Sequence, residues 1–182
     1  MMGGLGSGRW QSHTKKDTVE ECRVLSIARW MQEGVLQPGS RRYGSWAWTN
    51  ASTGEQVASI GYELNTTDMT APAVRLFYTL TRAQERLDYA VPLRTTLPHF
   101  GGVRWWFLCP LSVSGRACRR RVAKLYLPPG GRYFGCRHCY DLTYDSCQES
   151  HKYSRVLAMV ARSIGSDMTG EEVARLLKSH RR

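Results

Sequence analysis

Residues 105–139 read WWFLCPLSVSGRACRRRVAKLYLPPGGRYFGCRHC, and the four cysteines of this stretch decide the fold. Cys109 follows the apolar run Trp105-Trp106-Phe107-Leu108, and Cys136 and Cys139 follow Tyr133-Phe134. Between them Val122 to Leu127 has strand character and runs into Pro128-Pro129-Gly130-Gly131, a strong turn signal. Two strand tips that gather Cys109, Cys118, Cys136 and Cys139 predict a zinc ribbon, because Zn²⁺ in a structural role takes a closed tetrahedron of soft ligands. Cys136-Arg137-His138-Cys139 has the ordinary C-x2-C spacing, whereas the eight residues between Cys109 and Cys118 predict one expanded loop. Neither pair is followed by glycine: Arg119 follows Cys118 and Tyr140 follows Cys139. A redox dithiol fits less well, since such pairs usually open a helix in a βαβ setting. Cys147 is the rival to Cys118 as fourth ligand, and Cys118 is preferred because its loop precedes a strand.

Charge is concentrated around the same stretch. Of the formal net charge of +11, residues 1–100 carry +2 (11 Lys/Arg against 9 Asp/Glu) and residues 101–182 carry +9 (15 against 6). Between Arg104 and Arg137 there are eight basic residues and no acidic one. Part of this excess offsets the negative charge of four thiolates around Zn²⁺. The remainder points to an acidic partner, most simply DNA or RNA. Arg116, Arg119, Arg120, Arg121, Lys124, Arg132 and Arg137 are the candidate phosphate contacts.

Moving outward toward the N-terminus, the hydrophobic period is two. Trp46 and Trp48 alternate, Asn50 to Gly54 make a turn, and Ala58, Ile60, Tyr62 and Leu64 line one face. Val74, Leu76, Tyr78 and Leu80 repeat the pattern, as do Leu87, Tyr89, Val91 and Leu93. The spacing predicts an antiparallel meander with one wet face, with Pro92 at an edge or outside the ladder. Trp46, Trp48, Tyr62 and Tyr78 are candidate base-stacking residues, although a core-facing sheet requires the same period. Because Val103 to Leu108 leads straight into the first cysteine, meander and ribbon are expected to share a core.

Thr18-Val19-Glu20-Glu21 matches a capping box, and Val24, Ile27, Ala28, Met31 and Val35 recur at helical spacing, so an N-terminal helix is expected. Ser26 is an alternative cap for a second, short helix. Residues 1–16 are Gly- and Ser-rich with scattered cations, as in a mobile basic arm; the strand and Lys-Ser/Thr of a P-loop are lacking. Beyond Cys139, the stripe Tyr153, Val156, Leu157, Val160, Ala161 and Ile164 and the box Thr169-Gly170-Glu171-Glu172 predict two C-terminal helices.

The expected fold class is α+β: an antiparallel β-meander continuing into a four-cysteine zinc ribbon, with an N-terminal helix and a C-terminal helical hairpin. The expected units are a basic arm (1–16), helix plus meander (17–100), zinc ribbon (101–145) and helical tail (146–182). No apolar run approaches the length of a membrane span and the N-terminus has no h-region, so a cytoplasmic protein with metal-bound cysteines is expected, with no membrane partner.

Several motifs also resemble those of a poorly characterised family of bacterial and prophage-associated zinc-ribbon proteins. They are Gly6-Ser7-Gly8-Arg9, Thr18 with Cys22-Arg23, Pro38-Gly39, Trp46 with Trp48, Ser59-Ile60-Gly61, Trp106-Phe107-Leu108-Cys109-Pro110, Arg121 to Tyr126, and Phe134 to Tyr140. The resemblance implies a phage or mobile-element setting and a zinc ribbon, and brings no established activity.

Function therefore reads as a non-enzymatic zinc-ribbon protein that binds nucleic acid around its metal site. The alternative is a regulator or anti-defence factor that docks on a host or phage protein. Zinc deaminase chemistry needs H-x-E ahead of P-C-x-x-C, and metalloprotease chemistry needs H-E-x-x-H; neither occurs. Asp141, Asp145 and Glu149 as a Mg²⁺ cluster compete with ordinary helix-dipole partners.

Overall fold

The computed structural model describes residues 16–99 and 101–147. Along the chain the elements are β1 (Arg23–Ser26), α1 (Ile27–Gln32), β2 (Arg41–Thr49), β3 (Gln56–Asn65), β4 (Ala73–Leu80), β5 (Glu85–Thr96) and β6 (Arg104–Leu108). They continue with β7 (Ser112–Val113), β8 (Arg116–Ala117), β9 (Arg121–Val122) and β10 (Lys124–Leu127). A six-stranded antiparallel sheet has the order β2-β3-β4-β5-β6-β9; β1 pairs with β10, and β7 with β8. The architecture is mostly antiparallel β, not the expected α+β class.

The meander follows the alternation. Register pairs Trp46 with Ile60, Tyr62 with Leu76, Val74 with Val91 and Leu93 with Phe107, so all these side chains share the inner face. Trp30 of α1 is fully buried against that face. It meets Trp46 edge-on at 5.8 Å, Tyr62 at 5.7 Å and Phe107 edge-on at 5.5 Å between ring centroids. Leu125, Leu127 and Phe134 join the same cluster, so meander and ribbon do share one core.

Two expectations change. The N-terminal helix does not start at Thr18. Its capping box is half made, since the Thr18 amide donates to Glu21 Oε2 at 3.1 Å. The backbone here is tied to the far end of the ribbon instead: Val19 N donates to Thr143 O and Thr143 N to Asp17 O. Arg23–Ser26 is then claimed as a strand by β10, and only Ile27–Gln32 is helical, entered at Ser26 without a side-chain cap. Pro92 is inside β5, not at its end. Residues 85–92 pair with β4 and 93–96 with β6. Leu93 N donates to Pro72 O, so alternation turns the nitrogen of Pro92, which has no hydrogen to donate, toward the β6 edge, at the point where the β5–β6 pairing ends. The C-terminal helical hairpin lies outside the described residues, as does the basic arm apart from Lys16.

Candidate metal centre

The first two ligands sit at the two ends of an inserted hairpin. Cys109 directly follows β6 and Cys118 directly follows β8; between them β7 and β8 turn at Ser114 (φ 51°) and Gly115 (φ 76°). The hairpin accounts for the long spacing, because its two strands begin and end side by side: Cys118 N donates to Leu111 O at 2.8 Å. Below it Cys109 N donates to Arg120 O and Arg119 N to Cys109 O, which sets both cysteines at one height. Arg119 takes the left-handed conformation (φ 48°) that a glycine usually supplies in such a loop.

The second pair leaves the bridge between Gly135 and Tyr126, where each amide donates to the other residue's carbonyl. Cys139 N then donates to Cys136 O, closing a turn with both thiols on the inside. Cys136 N donates to Cys109 Sγ at 3.2 Å, linking the two loops directly. Gly135 allows a close approach here: a Cβ on it would fall 2.1 Å from Leu111 Cδ1 and 2.9 Å from Tyr140 Cε2, so those side chains would have to shift.

The four sulfur atoms lie within 4.8 Å of one another. Cys109–Cys139 and Cys118–Cys136 are each 3.8 Å apart and Cys136–Cys139 is 3.5 Å. Thiolates about 2.3 Å from a tetrahedral ion would be about 3.8 Å from each other. The donor set thus has the size and chemistry of a metal site. Cys118 belongs to it, and Cys147, exposed and further along the chain, does not. No other group of metal-ligating side chains occurs among the described residues; Asp141 is ion-paired with Lys16, and Glu149 lies outside them.

As thiols these groups differ. Burial pushes Cys109 up to about 11 and raises Cys139 further. Burial also works against Cys118, but bonds from the Arg120 amide and the neighbouring thiols outweigh it and hold that thiol below its ordinary value. An incoming ion therefore has to displace protons. Cys22 is a bystander: burial and the carboxylates Asp17, Glu21 and Glu20 push it up to about 11, and its Sγ bonds to Thr18 O.

Of the candidate phosphate contacts, Arg116, Arg119, Arg120, Arg121 and Lys124 are exposed, and none forms an ion pair among the described residues. Arg132 is held by Glu85 and lies 5.7 Å from the Tyr133 ring; Arg137 lies 5.3 Å from that of Tyr144. The four candidate stacking aromatics turn inward. Trp46 and Tyr62 are buried, while Trp48 and Tyr78 pack on Phe134, at 5.9 Å in each case. They support the ribbon from beneath: Tyr78 Oη donates to Arg132 O and Phe134 N donates to Tyr89 Oη.

Two residues on this surface, Arg94 and Trp106, escaped the sequence reading. Register places Arg94 opposite Trp106 and Arg121 opposite Leu108, and Arg104 lies two positions from Trp106, so all share the outer face. The Arg104 guanidinium lies 4.2 Å from the Trp106 ring centroid. The signal was present in Arg104-Trp105-Trp106-Phe107, whose period of two separates an inward Trp105 and Phe107 from an outward Arg104 and Trp106.

Comparisons with protein-family models, with curated proteins and with solved structures return no match. No helix among the described residues is long and apolar enough to cross a membrane.

Proposed function

We propose that the chain is a zinc-ribbon protein of the phage or mobile-element kind that binds nucleic acid through the cations beside its metal site. Cys109, Cys118, Cys136 and Cys139 hold Zn²⁺, which four thiolates saturate, so the ion fixes the loops and leaves no position for a reacting water. The observation that carries the reading is that Arg116, Arg119, Arg120, Arg121 and Lys124 are all exposed and have no carboxylate partner among the described residues. Such cations neutralise phosphates and supply affinity without reading sequence. The triple variant Arg119→Ala/Arg120→Ala/Arg121→Ala should abolish a low-salt mobility shift while retaining its zinc; an unchanged shift removes the reading.

One observation favours a second reading, docking of a host or phage protein by a regulator or anti-defence factor. β2 is an edge strand of the sheet, and Tyr43 on it is 84% exposed. A protein partner that survives nuclease treatment of the lysate, and is lost on Tyr43→Ala, would select it.

A further inference from the structure

The outer face of the six-stranded sheet is divided. On the β2–β3–β4–β5 side the charges are matched: Arg41 pairs with Glu63 at 2.5 Å, and Arg75 with Asp88 at 2.6 Å and with Glu63 at 3.8 Å. Around Trp106 the same face presents Arg94, Arg104 and Arg121, and residues 90–96, 104–108 and 121–122 of β5, β6 and β9 contain no carboxylate. Trp106 is anchored from its edge, since Nε1 donates to Thr96 Oγ1 at 2.9 Å. Its indole is therefore held in place on the sheet surface, partly exposed, with one guanidinium over it and two more on the neighbouring strands.

We infer that this face is a stacking platform for an unpaired base of single-stranded nucleic acid, with the flanking phosphates held by Arg94 and Arg121. The inference rests on the nucleic-acid reading above and narrows its substrate. An aromatic or guanidinium plane on a sheet face offers a flat surface to any splayed-out base, whereas a base inside a duplex is already stacked on its neighbours. Arg104 serves either way: its guanidinium plane extends the ring upward, or it swings aside to a phosphate when the base takes its place. Arg121 links the platform to the metal site, because it stands next to Arg120, whose carbonyl accepts the Cys109 amide.

The test uses the zinc-loaded chain with a twelve-nucleotide thymidine oligomer, a uridine oligomer of the same length and a duplex of twelve base pairs. Trp106→Ala should weaken both single strands about tenfold or more, the loss of one base stack, and leave the duplex and the salt slope unchanged. Trp106→Phe should restore most of the affinity, and zinc content together with the thermal midpoint checks that both variants fold. Arg94→Ala should instead reduce the salt slope on single strands by about 0.7. Equal affinity of the wild type for single and double strands, with Trp106→Ala neutral on both, overturns the platform and leaves the parent reading intact. Failure of the wild type to bind any of the three sinks the parent reading itself.

Discussion

The two halves of the sheet's outer face are built on one ladder and yet differ in what they leave open to solvent. Across β2, β3, β4 and β5, Arg41, Glu63, Arg75 and Asp88 neutralise one another in a row. Around Trp106, Arg94, Arg104 and Arg121 have no carboxylate among residues 90–96, 104–108 and 121–122 of β5, β6 and β9. Cross-strand pairs of opposite charge are the ordinary way a wet sheet face is kept soluble and in register. Omitting the carboxylates beside the metal site costs that support and is expected where the charge serves a ligand. The halves also differ in what holds them. β3, β4 and β5 are long strands with extended pairing, while β7, β8 and β9 have two residues each and lie beside the thiol cluster.

The largest expected effect lies in that last difference. Removing the metal with a chelator, or replacing Cys136 with serine, should expose the amides of residues 109–122 and 135–139 to rapid hydrogen exchange while Val74, Leu76 and Val91 stay protected. Uniform loss of protection across both halves would show that the shared core makes them one cooperative unit. A smaller effect should follow from charge matching. Glu63→Gln with Asp88→Asn frees Arg41 and Arg75, and should make the matched half a binding face, steepening the salt dependence of duplex binding by roughly 0.9 for each phosphate gained. No change in slope would mean that pairing is not what separates the halves.

The smallest effect is a titration. Arg41 beside Glu63 and Arg75 beside Asp88 hold both carboxyls below their ordinary values, through hydrogen bonds foremost. A depressed carboxyl contributes its stabilisation above the unfolded-state value, near 4.5 for Glu and 3.8 for Asp, and loses it as the pH falls through the lower folded-state value. Carbon-detected NMR midpoints for Glu63 and Asp88 should therefore lie below those ordinary values, and midpoints at or above them would contradict the ladder.

Much of the metal centre was legible in the chain. The strand runs ahead of Cys109 and Cys136, the C-x2-C pair and the long spacing up to Cys118 carried both the ligand set and the expanded loop. The N-terminal segment was not. Val24, Ile27, Ala28, Met31 and Val35 satisfy a helical period, but that window spans two elements: alternation in Arg23–Ser26 buries Leu25, and the helix that follows buries Ile27 and Trp30. Met31, assigned to the apolar stripe, is 45% exposed. Nothing within ten residues distinguishes the cases, because β10, some hundred positions away, supplies the hydrogen bonds that make residues 23–26 a strand.

By itself the sequence determined the cysteines that gather, the alternation that makes the meander, and the preponderance of cations over carboxylates after Arg94. These depend on residue type and on spacings short enough for backbone geometry to impose. Only the tertiary structure decided which aromatics are buried and which remain outside, which arginines are paired, and that Arg94, Arg104 and Arg121 share a face with Trp106. Register between strands sets those relations, and register belongs to the assembled sheet rather than to any one of its strands.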